Sequence, residues 1–301
     1  MNILINQSRG KKMSIQQMKP IMTFNVISDL HVTGWENKFN KHFEEALKDL
    51  NEVNPQAKAL CIVGDMTESG RDENYERFQA ILDAYPHPET YMVLGNHDVR
   101  WLEGGYEEAY NCFMKHTRMP HVYYDKWICG YHFIFLSTEE ALKDEGRITK
   151  EQLTWLKDKL DEGADSKPVF VFLHQSLVET SAGSYEVDGY AHSGHPDGIL
   201  EDRELRNILS EYPRVLFFTG HTHAVVDHPQ TVIKKEGIYY INTASVAYTL
   251  QSDGYGEDNG SQGLCIDVYE DEIIIKGRDF MKKTWPMTWG IDLNEGIVLS
   301  K

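Results

Sequence analysis

The chain has 301 residues, 41% hydrophobic and 26% charged, which is globular composition with enough length to bury a sizeable core. Its 30 Lys and Arg against 47 Asp and Glu leave a net charge of −17. A field that negative repels extended polyanions and argues against a duplex nucleic-acid binder. It does not exclude a small anionic ligand, because bound cations can invert the sign inside one cleft.

Residues 1–20 are polar and lack the apolar core of a signal peptide, so they read as a flexible N-terminal arm, with Met13 or Met18 as alternative starts. Residues 21–301 read as one domain, without repeat or clean linker. A strand is predicted at 23–28, and Phe39, Phe43, Ala46, Leu47, Leu50 and Val53 then recur at helical spacing. A strand at 59–63 follows, then a helix carrying Tyr75, Phe78, Ile81 and Leu82, then a strand at 90–94. This β-α-β-α-β order predicts parallel strands covered by helices. Further on come a helix at 105–115, a strand at 131–137, a helix at 149–160 and a strand at 168–173. Residues 179–198 read as a long Gly-rich loop, before a helix at 201–209 and a strand at 214–219. The end turns β-rich, at 238–242, 264–269 and 273–277, with the last two forming a hairpin at Glu270 and Asp271. Cys61, Cys112, Cys129 and Cys265 are scattered and form no CxxC pair. They read as reduced thiols. No stretch has transmembrane length, so the expected location is the cytoplasm, with no membrane partner.

The chemistry sits at the strand ends. The predicted strands run out into Asp29-Leu30-His31, Gly64-Asp65, Gly95-Asn96-His97-Asp98, His174 and Gly220-His221-Thr222-His223. In open α/β sheets, ligands bind beyond the carboxyl ends of the strands, so these loops can converge. On an extended segment residues i and i+2 share a side, which would let Asp29 and His31 address one ion. A lone Asp in such a place is ordinarily a cap or turn residue, and a lone His is ordinarily just hydrogen-bonded. The joint pattern is what points to metal. Asp29, His31, Asp65, Asn96, His174, His221 and His223 mix carboxylate, imidazole and amide oxygen. That set suits Mn, Fe or Zn, and it is too large for one ion but fits two, roughly 3.5–4 Å apart.

This ordered series resembles the calcineurin-like metallophosphoesterase superfamily, over about residues 23–223. The resemblance implies an α/β fold: a four-layer α/β/β/α sandwich of two mixed sheets flanked by helices. It places Asp29, His31, Asp65 and His223 on one ion, and Asp65, Asn96, His174 and His221 on the other, with Asp65 bridging. A hydroxide bridging the two ions would attack phosphorus. His97 is the expected general acid, fixed beside the ions by Asn96. Asp98 either orients His97 or caps the next helix.

The string from Gly64 to Gly70 resembles the bacterial cyclic-nucleotide phosphodiesterase-like branch. Glu68 stands where purple acid phosphatases carry Tyr. The expected activity is therefore a phosphodiesterase on a small nucleotide-like or cyclic-nucleotide substrate. A phosphomonoesterase and a non-catalytic metal-binding scaffold are the alternatives, and a nuclease is disfavoured by charge. Specificity is expected in loop 179–198 and in Trp35, Tyr106 and Tyr190. His192 and His195, near Tyr185 and Tyr190, read either as a substrate-gating lid or as an adventitious surface pair. Residues 242–245 are expected to line the cleft, and Trp285 and Trp289 to serve packing or a homodimer contact.

Overall fold

The structure, a computed structural model, describes residues 19–163, 167–184, 198–250, 260–295 and 297–300. The chain begins β1 (Met22–Ile27), α1 (Lys38–Val53), β2 (Leu60–Val63), α2 (Asp72–Ala84), β3 (Thr90–Val93) and α3 (Gly105–Thr117). It continues β4 (Tyr124–Ile128), β5 (Tyr131–Phe135), α4 (Lys150–Glu162), β6 (Val169–Phe172), α5 (Asp202–Ser210) and β7 (Val215–Thr219). It ends with β8 (Val232–Lys235), β9 (Ile238–Asn242), β10 (Gln262–Val268), β11 (Glu272–Asp279), β12 (Thr288–Asp292) and β13 (Ile297–Ser300).

The strands form two mixed sheets, ordered β13-β12-β11-β10-β1-β2-β3 and β4-β5-β6-β7-β9-β8. Within them β1, β2 and β3 run parallel, as do β5, β6, β7 and β9. Period-2 alternation sends one row of each strand inward and the other outward. Phe24, Val26, Cys61 and Val63 meet Phe133, Phe170, Phe172 and Phe218 between the sheets. Phe24 stands edge-on to Phe133 and Phe170, with centroids 5.0 and 5.1 Å away. The outward row of the first sheet, with Ile27, Leu60 and Ile62, packs on Phe43 and Leu47 of α1 and Phe78 of α2. That of the second, with Ile134, Val169 and Val171, packs on Leu156 and Leu160 of α4 and Leu205 and Leu209 of α5. The layering is α/β/β/α, as the resemblance implied.

Two helices start on side-chain caps: Asn37 accepts from Asn40 N, and Thr149 from Gln152 N. The β10–β11 hairpin forms where expected, with Val268 opposite Ile273. The sequence reading missed β4, β8, β12 and β13. The first two are sheet edges that carry Asp125 and Lys126, and Lys234 and Lys235. Charge on an edge strand deters pairing with other chains and also blurs the alternation that marks a strand. Trp289 is core packing at 3% exposure, whereas Trp285 is 41% exposed beneath Arg278. Among the described residues, no helix is long and apolar enough to cross a membrane.

Candidate metal centre

Parallel pairing puts the carboxyl ends of β1, β2 and β3 on one edge, and those of β6 and β7 on the matching edge of the other sheet. The loops beyond them bring Asp29, His31, Asp65, Asn96, His174, His221 and His223 together across the seam, and all seven are buried.

The local backbone is not the extended segment the i, i+2 argument assumed. Asp29, His31, Asp65, His221 and His223 have φ of 55°, 47°, 48°, 68° and 55°. This left-handed region is costly for residues with a Cβ and persists only where the surroundings impose it. Here the loops impose it on one another. Leu30 N and His31 N donate to Asp65 O at 2.8 and 3.0 Å, and His221 N donates to Asp29 Oδ2 at 3.0 Å. Ser245 Oγ and Ala247 N donate to Asp29 O at 3.1 and 2.9 Å, so the segment after β9 braces the first ligand loop from behind. Gly95 and Gly220 allow close approach: a Cβ on either would overlap Asp65 Oδ1 or Ser28 Oγ.

The donor atoms fit cations. His31 Nδ1 lies 2.8 Å from Glu68 Oε2, His174 Nδ1 2.7 Å from Val63 O, and His223 Nδ1 3.0 Å from Tyr248 O. Those oxygens accept, so each ring spends its N–H outward and turns an Nε2 lone pair inward. Inside, His31 Nε2 is 3.3 Å from His223 Nε2, and His223 Nε2 is 3.1 Å from Asp29 Oδ1. His174 Nε2 is 3.3 Å from Asp65 Oδ2 and 3.1 Å from Asn96 Oδ1, which also lies 3.0 Å from His221 Nδ1. With His174 deprotonated, imidazole lone pairs face carboxylate and amide oxygens, an arrangement that calls for positive charge at the centre. Groups able to hold an ion include Asp29 with His31 and His223, and Asp29 with Asp65 and His174.

The electrostatics agree. Burial acts to raise Asp29, yet His223 and His174 hold it down at about 2. Burial acts to lower His174, yet Asp65 and Asp29 hold it up at about 9. An imidazole held above its ordinary 6.5 stabilises the metal-free fold below that value, and the benefit is lost as pH rises through about 9. A cation must displace this proton to use Nε2. Mn²⁺ uptake is therefore expected to release protons, and to tighten as pH rises from 6.5 toward about 9. Calorimetry in buffers of different ionisation heat checks this; a buffer-independent heat would refute it.

Residues 22–225 match the family model described as calcineurin-like phosphoesterase. The chain belongs to the calcineurin-like phosphoesterase family. It is 27% identical over 207 residues to a probable glycerophosphodiester phosphodiesterase of Arcobacter nitrofigilis, covering 66% of this chain and 71% of that protein. It is 24% identical over 233 residues to a 3',5'-cyclic-nucleotide phosphodiesterase of Nostoc sp., covering 75% and 79%. Among solved structures, a purple acid phosphatase from yellow lupin superposes with a TM-score of 0.66 at 13% identity, covering 90% of this chain and 53% of that one. As a calcineurin-like phosphoesterase, the protein is a metal-dependent phosphoesterase.

Around the centre, this phosphoesterase has features its motifs did not show. Glu68, noted above only for replacing a Tyr, receives His31 Nδ1. His97 N donates to Asp65 Oδ1 at 2.8 Å, and burial, with the charges of His31 and Arg100 against the pull of Asp65, brings its imidazole down to about 4. Asp98 does not bond to the His97 ring. Its oxygens accept from Gly95 N, Met66 N, Thr67 N and Thr67 Oγ1 at 3.0, 3.3, 2.9 and 2.7 Å, which staples the loops after β2 and β3 together. Neither the helix cap nor the orienting contact expected of it is present. Burial and the nearby Asp65 charge push its carboxyl up to about 6.

The aromatic wall also differs from expectation. Tyr106 packs into the helical layer outside the first sheet. Tyr248 and Phe39 stand at the centre instead, with rings 5.8 and 6.3 Å from His31. Trp35 is 63% exposed, and Tyr185, Tyr190, His192 and His195 lie outside the described residues. No signal short of the folded chain would have found Tyr248, because its part in holding His223 is played by a backbone carbonyl.

Proposed function

We propose that the protein is a dinuclear metal-dependent phosphodiesterase acting on a small nucleotide-like or cyclic-nucleotide diester. The observation that carries this reading is the inward convergence of imidazole lone pairs and carboxylates around Asp65, whose Oδ2 lies 3.3 Å from His174 Nε2 and 3.8 Å from His31 Nε2. Asp65 thus reaches both halves of the centre. Asp29, His31, Asp65 and His223 would hold one ion, and Asp65, Asn96, His174 and His221 the other. Manganese, iron and zinc suit this donor set. Bound there, the ions would supply Lewis acidity toward phosphate oxygens and a water of lowered pKa.

The chain's own residues do the rest. Glu68, Val63 and Tyr248 orient three imidazoles through their second nitrogens. Lys143 O accepts from Asn96 Nδ2 at 3.4 Å, which turns the amide oxygen toward His174 and His221. Asp98 keeps Asp65 and His97 in register. His97, tied to Asp65 through its backbone, serves the leaving-group side. The diester preference follows the relatives, which are named for glycerophosphodiesters and for cyclic nucleotides.

The test is hydrolysis of bis-aryl phosphate, an aryl monophosphate and cyclic nucleotides by the Mn²⁺-loaded protein. Diesters are expected to turn over fastest. Faster monoester cleavage overturns the diester reading, and no cleavage at all leaves a metal-binding scaffold. His97→Ala is expected to keep its metal and lose roughly 10²-fold or more in kcat.

A further inference from the structure

The His97 ring is held by a residue that no motif singles out. Nδ1 lies 3.0 Å from the Glu68 carbonyl oxygen and 3.6 Å from a Glu68 carboxylate oxygen. Both accept, so Nδ1 carries the proton. Nε2 lies 2.6 Å from Nη2 of Arg100. A guanidinium only donates, so Nε2 is the acceptor. Partners of opposite kind on the two nitrogens select one neutral tautomer and one ring orientation.

Arg100 is itself anchored. Nη1 donates to Lys143 O at 3.0 Å and pairs with the Asp144 carboxylate. The Trp101 ring covers the guanidinium, with its centroid 4.7 Å away. Only 13% of the Arg100 side chain is exposed. The Lys143 carbonyl that receives Arg100 also receives Asn96, and the Asp144 carbonyl receives Gln175 Nε2 at 3.5 Å. One short segment therefore sets the placement of Arg100 together with that of a candidate ligand. Such anchoring exceeds what a surface ion pair needs.

We propose that Arg100 is a positioning residue for His97: Asp144 and the Lys143 carbonyl fix its guanidinium, and the guanidinium fixes the imidazole with Nε2 as acceptor. The inference rests on the phosphodiesterase reading above. In this arrangement the guanidinium sets the direction in which the His97 ring faces.

The experiment uses the full chain loaded with Mn²⁺ and a series of aryl phosphodiesters of graded leaving-group basicity. Arg100→Ala is expected to keep its metal content, to lower kcat by about 10²-fold and to leave KM within about threefold. The loss should grow as the leaving phenol becomes more basic. Added to His97→Ala, the same change should cost less than about twofold more, because both remove one unit. Arg100→Lys should recover only part of the rate, since one ammonium cannot serve His97 and Asp144 in the same fork geometry. Asp144→Asn, which keeps the guanidinium and removes its anchor, should lower kcat in the same sense and covers the case where Arg100→Ala fails to fold. Additive losses in the double variant, an effect on KM alone, an unchanged kcat or a fall in metal content each overturn the proposal. A wild-type protein that cleaves none of the diesters overturns the phosphodiesterase reading itself.

Discussion

Asp65→Ala is expected to lose bound metal and to lower turnover by at least about 10³-fold, roughly 4 kcal/mol in barrier. The carboxylate is 1% exposed, its Oδ1 accepts from His97 N at 2.8 Å, and its Oδ2 faces imidazoles from both halves of the centre. Asp65 thus joins the loops after β1, β3 and β6 through one carboxylate. Its removal also strips charge from the pocket that holds His174 protonated, so the metal-free variant should lose much of that elevation. Metal analysis and kinetics on the same preparation test the claim. A metal-replete, active Asp65→Ala protein would show that the centre does not hinge on this residue. Asp65→Asn separates charge from shape: it keeps a similar volume and should still fail to retain metal.

Asp49→Ala is expected to cost stability rather than chemistry, by about 3–5 kcal/mol. Arg278 of β11 donates from Nε and Nη2 to the two carboxylate oxygens of Asp49 on α1, at 2.7 and 2.8 Å. The side chains are 6% and 1% exposed, and Trp285 covers the guanidinium at 4.7 Å. Removing one partner leaves a buried charge without its counterion, and this is the expensive case. Replacing both with apolar residues of similar volume should cost far less. A urea titration of both variants decides: equal losses would mean that the pair contributes packing and not charge compensation. Metal content should stay unchanged in either, because this contact lies on the outer face of the first sheet.

The two effects divide along what the sequence makes legible. The ligand loops are legible because each strand run ends in a metal-competent residue, and alternation of apolar runs places those ends on common edges. The helices are legible through their period, since Phe43, Leu47 and Leu50 repeat on one face of α1, and Leu153, Leu156 and Leu160 on one face of α4. What escapes is set by contacts across long separations. Glu68 reaches His31 across 37 residues, Arg278 reaches Asp49 across 229, and the carbonyl of Tyr248 carries no side-chain signature at all. The left-handed turn at Asp29 and His31 escapes for the same reason. Asp and His tolerate it better than most residues, but too weakly to specify it, and the neighbouring loops hold it in place.

The pairing of β1 has a temporal consequence. Met22 stands opposite Val268, and Asn25 opposite both Leu60 and Cys265. The strand that carries the first candidate ligand loop gains its second neighbour only once β10 has been made. On a ribosome, Asp29 and His31 emerge early, yet His223 and the bracing segment at 245–247 follow about two hundred residues later. At roughly 5–20 residues per second, the chain spends on the order of ten seconds or more with carboxylates and imidazoles in hand and no pocket to gather them. The candidate centre is thus complete only after residues 245–247 are made, and contacts of such long range form slowly. A nascent chain arrested before residue 221, lacking both histidines of the loop after β7, should therefore bind Mn²⁺ more weakly than the full chain.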